Sequence, residues 1–95
     1  MNIKSTSVDC LFQAMLSLKS VEEYYDFFED LCTIKEVQDM ANRFNTAVLL
    51  DEGLNYQTIS KQLGVSTATI TRVSKCLNYG SGGYKKVLER LKKNG

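Results

Sequence analysis

The stretch that decides the fold is Tyr56-Gln57-Thr58-Ile59-Ser60-Lys61-Gln62-Leu63-Gly64-Val65-Ser66-Thr67-Ala68-Thr69-Ile70-Thr71-Arg72-Val73-Ser74-Lys75. Asn55 can cap a first helix over Tyr56–Leu63, which Gly64 closes, and Ser66 can cap a second helix running through Leu77. Two short helices crossing steeply through a tight turn make a helix-turn-helix, and that geometry has specific demands. The turn needs a residue that tolerates positive φ, which Gly64 supplies. A small residue must lie inside the first helix where the second packs on it. Apolar residues must line the buried sides of both. Counted from Tyr56 as the first place, Ile59 is fourth, Ser60 fifth, Leu63 eighth, Gly64 ninth, Val65 tenth, Ile70 fifteenth and Val73 eighteenth. Each place holds the residue type the geometry asks for, with Ser60 standing where Ala is usual. An ordinary helical hairpin with a glycine turn is the plainer reading of the same stretch.

The outward positions separate the two readings. On the second helix they are Ser66, Thr67, Ala68, Thr69, Thr71, Arg72 and Lys75. These side chains are small, hydroxylated or basic, and no acidic residue lies in the stretch. β-Branched Thr is a poor filler for a merely solvated helix face, so the run favours a binding surface. A recognition helix places its N-terminal residues against base edges in the major groove. Thr67, Ala68 and Thr71 suit thymine methyls or base edges, while Ser66, Thr69, Gln57, Lys61 and Lys75 suit phosphates. Arg72 fits a phosphate, a guanine edge or an anionic ligand.

The rest of the chain also reads as helices. Val8, Leu11, Phe12, Met15 and Leu16 recur at helical spacing behind Ser5, Thr6 and Ser7. Ser20-Val21-Glu22-Glu23 and Thr33-Ile34-Lys35-Glu36 are capping boxes. The first opens a helix bearing Tyr24, Phe27, Phe28 and Leu31. The second opens the longest segment, with Val37, Met40, Ala41, Phe44, Ala47 and Val48 in register up to Gly53. Residues 78–83 read as a loop. A last helix covers Tyr84–Leu91, with Tyr84, Val87, Leu88 and Leu91 inward. The expected architecture is all-α: six helices in one domain, with dimerisation helices over 1–54, the helix-turn-helix over 55–78 and a C-terminal helix over 84–93.

Charge is divided along the chain. Residues 1–50 hold four basic and eight acidic side chains, a net −4, whereas residues 51–95 hold eight basic and three acidic ones, a net +5. The overall +1 therefore conceals a basic half suited to a polyanion. The absence of His removes imidazole catalysis and His metal ligands, and the absence of Pro leaves helices uninterrupted. Cys10, Cys32 and Cys76 form no C-x-x-C pair, so they are expected as buried or half-buried thiols of a reducing compartment. No apolar run approaches a membrane span, and the chain is expected to be cytoplasmic, without a cofactor or metal. No nucleophile–base pair or phosphate loop supports an enzyme.

The residues Leu63-Gly64-Val65-Ser66-Thr67-Ala68-Thr69-Ile70-Thr71-Arg72 resemble the L-G-x-x-x-A-T-I-T-R of the tryptophan repressor family. Within it the chain looks most like the YerC/YecD group of Trp-repressor-like proteins from Gram-positive bacteria. Thr33 through Gly53 is similar to the family's long third helix, and the first two helices match in pattern only. The resemblance implies an intertwined homodimer whose first, third and last helices interlock, with the two helix-turn-helix units meeting successive major grooves of double-stranded DNA. Dimerisation would bury Phe12, Met15, Phe44 and Val48. It also implies a corepressor pocket at Thr33, Arg43, Arg72 and Cys76, where the family has Thr, Arg, Arg and Ser. Val73 stands where the repressor has Gly, in the space the indole ring needs. Tryptophan is therefore not expected to be required or to fit. Arg43 alternatively lies in register to pair with Asp39, four residues back. The function expected is a sequence-specific transcriptional regulator, a repressor by occlusion. The alternative is a protein-interaction adaptor that keeps the fold, using the acidic N-terminal half with Tyr24 and Tyr25.

Overall fold

A computed structural model describes residues 2–94. It contains six helices, α1 (Thr6–Leu16), α2 (Val21–Leu31), α3 (Ile34–Asp51), α4 (Tyr56–Leu63), α5 (Thr67–Tyr79) and α6 (Gly83–Asn94), and among the described residues no strand. The hydroxyl and amide residues expected to start helices do so. The Ser5 hydroxyl accepts from the Val8 N–H and the Ser20 hydroxyl from the Glu23 N–H. Thr33 and Glu36 form a full capping box, with the Thr33 N–H donating to Glu36 Oε1 at 2.8 Å and the Glu36 N–H to Thr33 Oγ1 at 3.1 Å. The box at Ser20 is displaced, since the Glu23 carboxylate accepts from the Lys19 N–H instead of that of Ser20.

The fold divides into two compact units, residues 1–37 and residues 38–95. In the first, α1 and α2 bury no residue. Phe27 and Phe28 meet edge to face at 5.8 Å, Tyr24 stacks on Phe28 at 6.2 Å, and the Tyr24 hydroxyl donates to the Met15 carbonyl. Phe12 is 47% exposed and Leu16 76%, while Met15 is half-buried.

The second unit holds the core. One cluster joins Ala47 of α3 to Val73 and Leu77 of α5 and Leu88 of α6, with Phe44, Val48, Leu50 and Tyr84 packed around it. The other joins Ile59 of α4 to Val65 and Ile70, with Leu49, Leu50, Leu54 and Leu63 around it. Leu50 touches both, so α3 forms the floor on which α4 and α5 rest. Phe44 and Val48, expected at a subunit interface, already contribute to this internal core.

Three differences from the sequence reading have local causes. The loop expected over residues 78–83 is shorter, because α5 continues to Tyr79. Asn78 Nδ2 reaches back to the Ser74 carbonyl and keeps the chain helical until Gly80, whose N–H closes on the Cys76 carbonyl. The last helix starts at Gly83 and runs past Leu91 to Asn94. Lys92 pairs with Asp51 at 2.6 Å and Lys93 with Glu89 at 3.2 Å, and cations suit a helix C-terminus. On α6 only Leu88 is buried and Tyr84 is half-buried, while Val87 and Leu91 stay exposed because α6 packs through a narrower stripe than its apolar residues span. The cysteines depart too: Cys32 is half-buried, but Cys10 and Cys76 are exposed on the outer sides of α1 and α5, and all three are free thiols.

Candidate nucleic-acid interface

The interface is built around the turn between α4 and α5. Asn55 caps α4, its Oδ1 accepting from the Thr58 N–H at 2.8 Å. Gly64 ends it in the left-handed region (φ 68°, ψ 26°), and its N–H donates to the Ser60 carbonyl at 2.8 Å. A Cβ at Gly64 would meet nothing within 4 Å, so glycine is required there by backbone conformation and not by space. The chain then re-enters a helix at Ser66, whose hydroxyl accepts from the Thr69 N–H at 3.2 Å.

Ile59 and Ile70 are fully buried and Val65 is 7% exposed, so the turn is pinned from beneath by three apolar anchors. Val73 is 2% exposed in the neighbouring cluster. By the usual coefficient, each side chain so buried contributes about 1.5 to 3 kcal/mol. This scaffold decides which side chains of α5 remain outside.

The outward residues fall where the spacing placed them. Gln57, Lys61, Ser66, Thr67, Ala68, Thr71, Arg72 and Lys75 are all exposed. Gln57 and Lys61 are one turn apart on α4. Thr67, Thr71 and Lys75 follow each other at four-residue spacing along α5. Thr69 differs, being half-buried, with its Oγ1 accepting from the Ser66 hydroxyl at 3.1 Å. Accepting there leaves the Thr69 hydroxyl proton available to an outside acceptor. A hydroxyl polarised this way is a better donor to a phosphate oxygen than an isolated one. The first acidic side chain after Glu52 is Glu89, so the α4–α5 surface has no negative charge of its own.

One contribution escaped the sequence reading. Small size alone marks Ser60 in the sequence, but its hydroxyl also donates to the Val65 carbonyl at 2.7 Å. The signal was a hydroxyl at the fifth place facing the tenth residue across a tight turn.

Of the residues of the implied corepressor pocket, Thr33 and Val73 are engaged in local structure, while Arg43, Arg72 and Cys76 lie at or near the surface. Thr33 caps α3 in the box with Glu36, whose carboxyl is held below its ordinary value of 4.5 by the Thr33 N–H and then by the Thr33 side chain. Arg43 is half-buried, and neither of the ion pairs formed by Lys92 and Lys93 involves it. Arg72 and Cys76 are exposed on α5. Val73 lies inside the core, against Ala47, Leu77 and Leu88.

Comparisons with known proteins agree with this architecture. Residues 6–92 match the family model of the Trp repressor protein. The chain is 49% identical over 90 residues to the uncharacterized protein YerC of Bacillus subtilis (strain 168), covering 95% of this chain and 86% of that one. It is 37% identical over 75 residues to a Trp operon repressor homolog of Chlamydia caviae, covering 78% and 74%. The crystal structure of a TrpR like protein from Eubacterium eligens superposes with a TM-score of 0.92 at 51% identity, covering 95% of this chain and 93% of that one. With its six helices and helix-turn-helix, the chain belongs to the Trp repressor protein family.

Proposed function

We propose that the protein is a sequence-specific, double-stranded-DNA-binding transcriptional regulator, a cytoplasmic homodimer that represses by occluding its operator without needing tryptophan. The observation that carries this reading is the outward face of α5. It is hydroxylated and basic, free of acidic residues, and presented by buried Ile59, Val65, Ile70 and Val73. Thr67, Ala68, Thr71 and Arg72 read base edges, while Gln57, Lys61, Ser66, Thr69 and Lys75 hold phosphates. Two such units on a dimer meet half-sites about 34 Å apart. Affinity rests largely on phosphate contacts and falls steeply with salt. Similarity to the Chlamydia protein, a Trp operon repressor homolog, supports a repressor role.

Independence from tryptophan rests on Val73. Its side chain fills the space beside α5 as part of the core, so the recognition helix is packed in the absence of any ligand. Selection of bound sequences from a random duplex library, with and without L-tryptophan, tests the whole reading. Enrichment of a palindrome under both conditions is the expected result. Enrichment only with tryptophan, or tight stoichiometric L-tryptophan binding in isothermal titration, overturns the ligand-free mechanism.

The adaptor alternative draws on Tyr25, 65% exposed on the acidic helix α2, whereas the Tyr24 hydroxyl is already engaged with Met15. It requires that Thr71→Ala and Arg72→Ala leave the cellular phenotype intact. The DNA-binding reading requires that both abolish it.

A further inference from the structure

The turn of the helix-turn-helix holds a polar bond that apolar packing does not require. Val65 is buried, and its carbonyl lies just before the first capped residue of α5, outside that helix's hydrogen-bond ladder. The Ser60 hydroxyl donates to it at 2.7 Å. Ser60 grips the turn a second time, its own carbonyl accepting from the Gly64 N–H at 2.8 Å. The peptide that starts at the Val65 carbonyl continues into Ser66. The Ser66 hydroxyl accepts from the Thr69 N–H and donates to Thr69 Oγ1, and the Ser66 carbonyl accepts from the Ile70 N–H. One series of contacts therefore runs from the first helix, through the turn peptide, into the first turn of α5.

We propose that Ser60 is a specificity-determining positioning residue, which sets the direction of α5 by orienting the Val65–Ser66 peptide through its hydroxyl. This deepens the DNA-binding reading and rests on it. Base contacts tolerate little angular error, because a bidentate or methyl contact is lost within a fraction of an ångström. Phosphate contacts from Lys61 and Lys75 are long-stemmed and forgiving. Loss of the Ser60 bond should therefore harm recognition of the chosen sequence far more than binding to DNA in general. Alanine would pack at this place equally well but would leave the part-buried Val65 carbonyl without this donor.

The test compares wild type with Ser60→Ala, Ser60→Thr and Ser60→Cys. Thr keeps the hydroxyl; Cys keeps the size but donates weakly. Kd is measured at one salt concentration for the duplex that wild type selects and for a scrambled duplex. The expected result is a specificity ratio lowered about fivefold in Ala and Cys, the fold equivalent of one lost hydrogen bond, and held within about twofold in Thr. Binding to the scrambled duplex falls by less than binding to the selected one, because the phosphate contacts of Ser66 and Thr69 weaken with the turn while those of Lys61 and Lys75 persist, and the salt slope stays unchanged. An unchanged ratio in the Ala and Cys variants overturns the proposal, as does equal loss in all three. Should wild type select no sequence, the DNA-binding reading falls on its own. Amide hydrogen exchange at Thr69 and Ile70 then decides the positioning role: faster exchange in Ser60→Cys supports it, and unchanged exchange overturns it.

Discussion

At the scale of single residues, Val73 and Glu36 make opposite kinds of contribution. Val73 is packed among Ala47, Leu77 and Leu88 at 2% exposure, so truncation to Ala should cost about 2 kcal/mol, from lost methyl burial and the cavity left behind. Urea unfolding should show a lower midpoint with an unchanged slope. Because the core of α5 would loosen, DNA affinity should fall as well. Glu36 acts through charge. Its carboxyl, held below its ordinary value of 4.5 by the Thr33 N–H, favours the folded state once ionised. The folded pKa is the lower one, so this contribution is fully present above the ordinary carboxylate value and is lost as pH falls through the folded value. Glu36→Gln should therefore flatten the acid limb of a plot of thermal midpoint against pH and leave neutral stability less affected. Both residues show what a sequence reveals. A valine at the eighteenth place of a helix-turn-helix announces burial, and T-x-x-E announces a capping box. The box at Thr33 formed as its spacing announces, whereas the displacement of the Ser20 box, with Glu23 accepting from Lys19, was not legible because it depends on how the chain enters α2.

At the scale of elements, the tight turn and the α3–α6 tie can each be tested by one change. Gly64 sits at φ 68° with open space around its Cα, so Gly64→Ala should cost about 1 to 2 kcal/mol from backbone strain alone. A larger loss in urea unfolding would point to a clash that the open space does not provide. The Lys92–Asp51 contact at 2.6 Å joins the ends of α3 and α6, and the Lys92 amine is raised above its ordinary 10.5, first by the hydrogen bond to Asp51 and then by its charge. The folded pKa is the higher one, so the stabilisation is present below the ordinary value and vanishes as pH rises through the folded one. Lys92→Gln should erase the part of the alkaline stability loss that this contact causes, read from thermal midpoints between neutral pH and strong alkali. Both ends of α4 and the start of α5 were legible to the residue, because Asn55, Gly64 and Ser66 each have one conformational role. The end of α5 and both ends of α6 were not. Gly80, Gly82 and Gly83 advertise a loop, whereas the side-chain bond from Asn78 to Ser74 extends α5 into it; the ion pairs of Lys92 and Lys93 lie at the other end of α6, where the helix runs on to Asn94. The inward stripe of α6 was read too wide for a similar reason, since periodicity marks every apolar residue and packing uses only Tyr84 and Leu88.

At the scale of the whole molecule, the apolar surface is unevenly covered. The second unit encloses two clusters of its own, but α1 and α2 bury no residue, and Phe12, Leu16, Val21, Tyr25 and Leu31 are each at least 47% exposed. A monomer that left so many large apolar side chains in water would forfeit much of the burial a chain this short can achieve. The proposed homodimer would account for the pattern, and its two-fold symmetry would suit the palindromic operator proposed above. Folding and association should then be coupled. The thermal midpoint should rise with protein concentration, as mass action requires when the folded state is the associated one. Sedimentation equilibrium should give twice the chain mass of 10.7 kDa. Leu16→Asp places a charge on the most exposed of the α1 apolar positions, where a monomer would scarcely notice it. If that face is shared between subunits, the variant should dissociate, lose the concentration dependence of its midpoint and bind a full palindrome no better than a half-site. A Leu16→Asp protein that keeps the mass and midpoint of wild type would place the subunit contact elsewhere and leave the exposed face of α1 without a role.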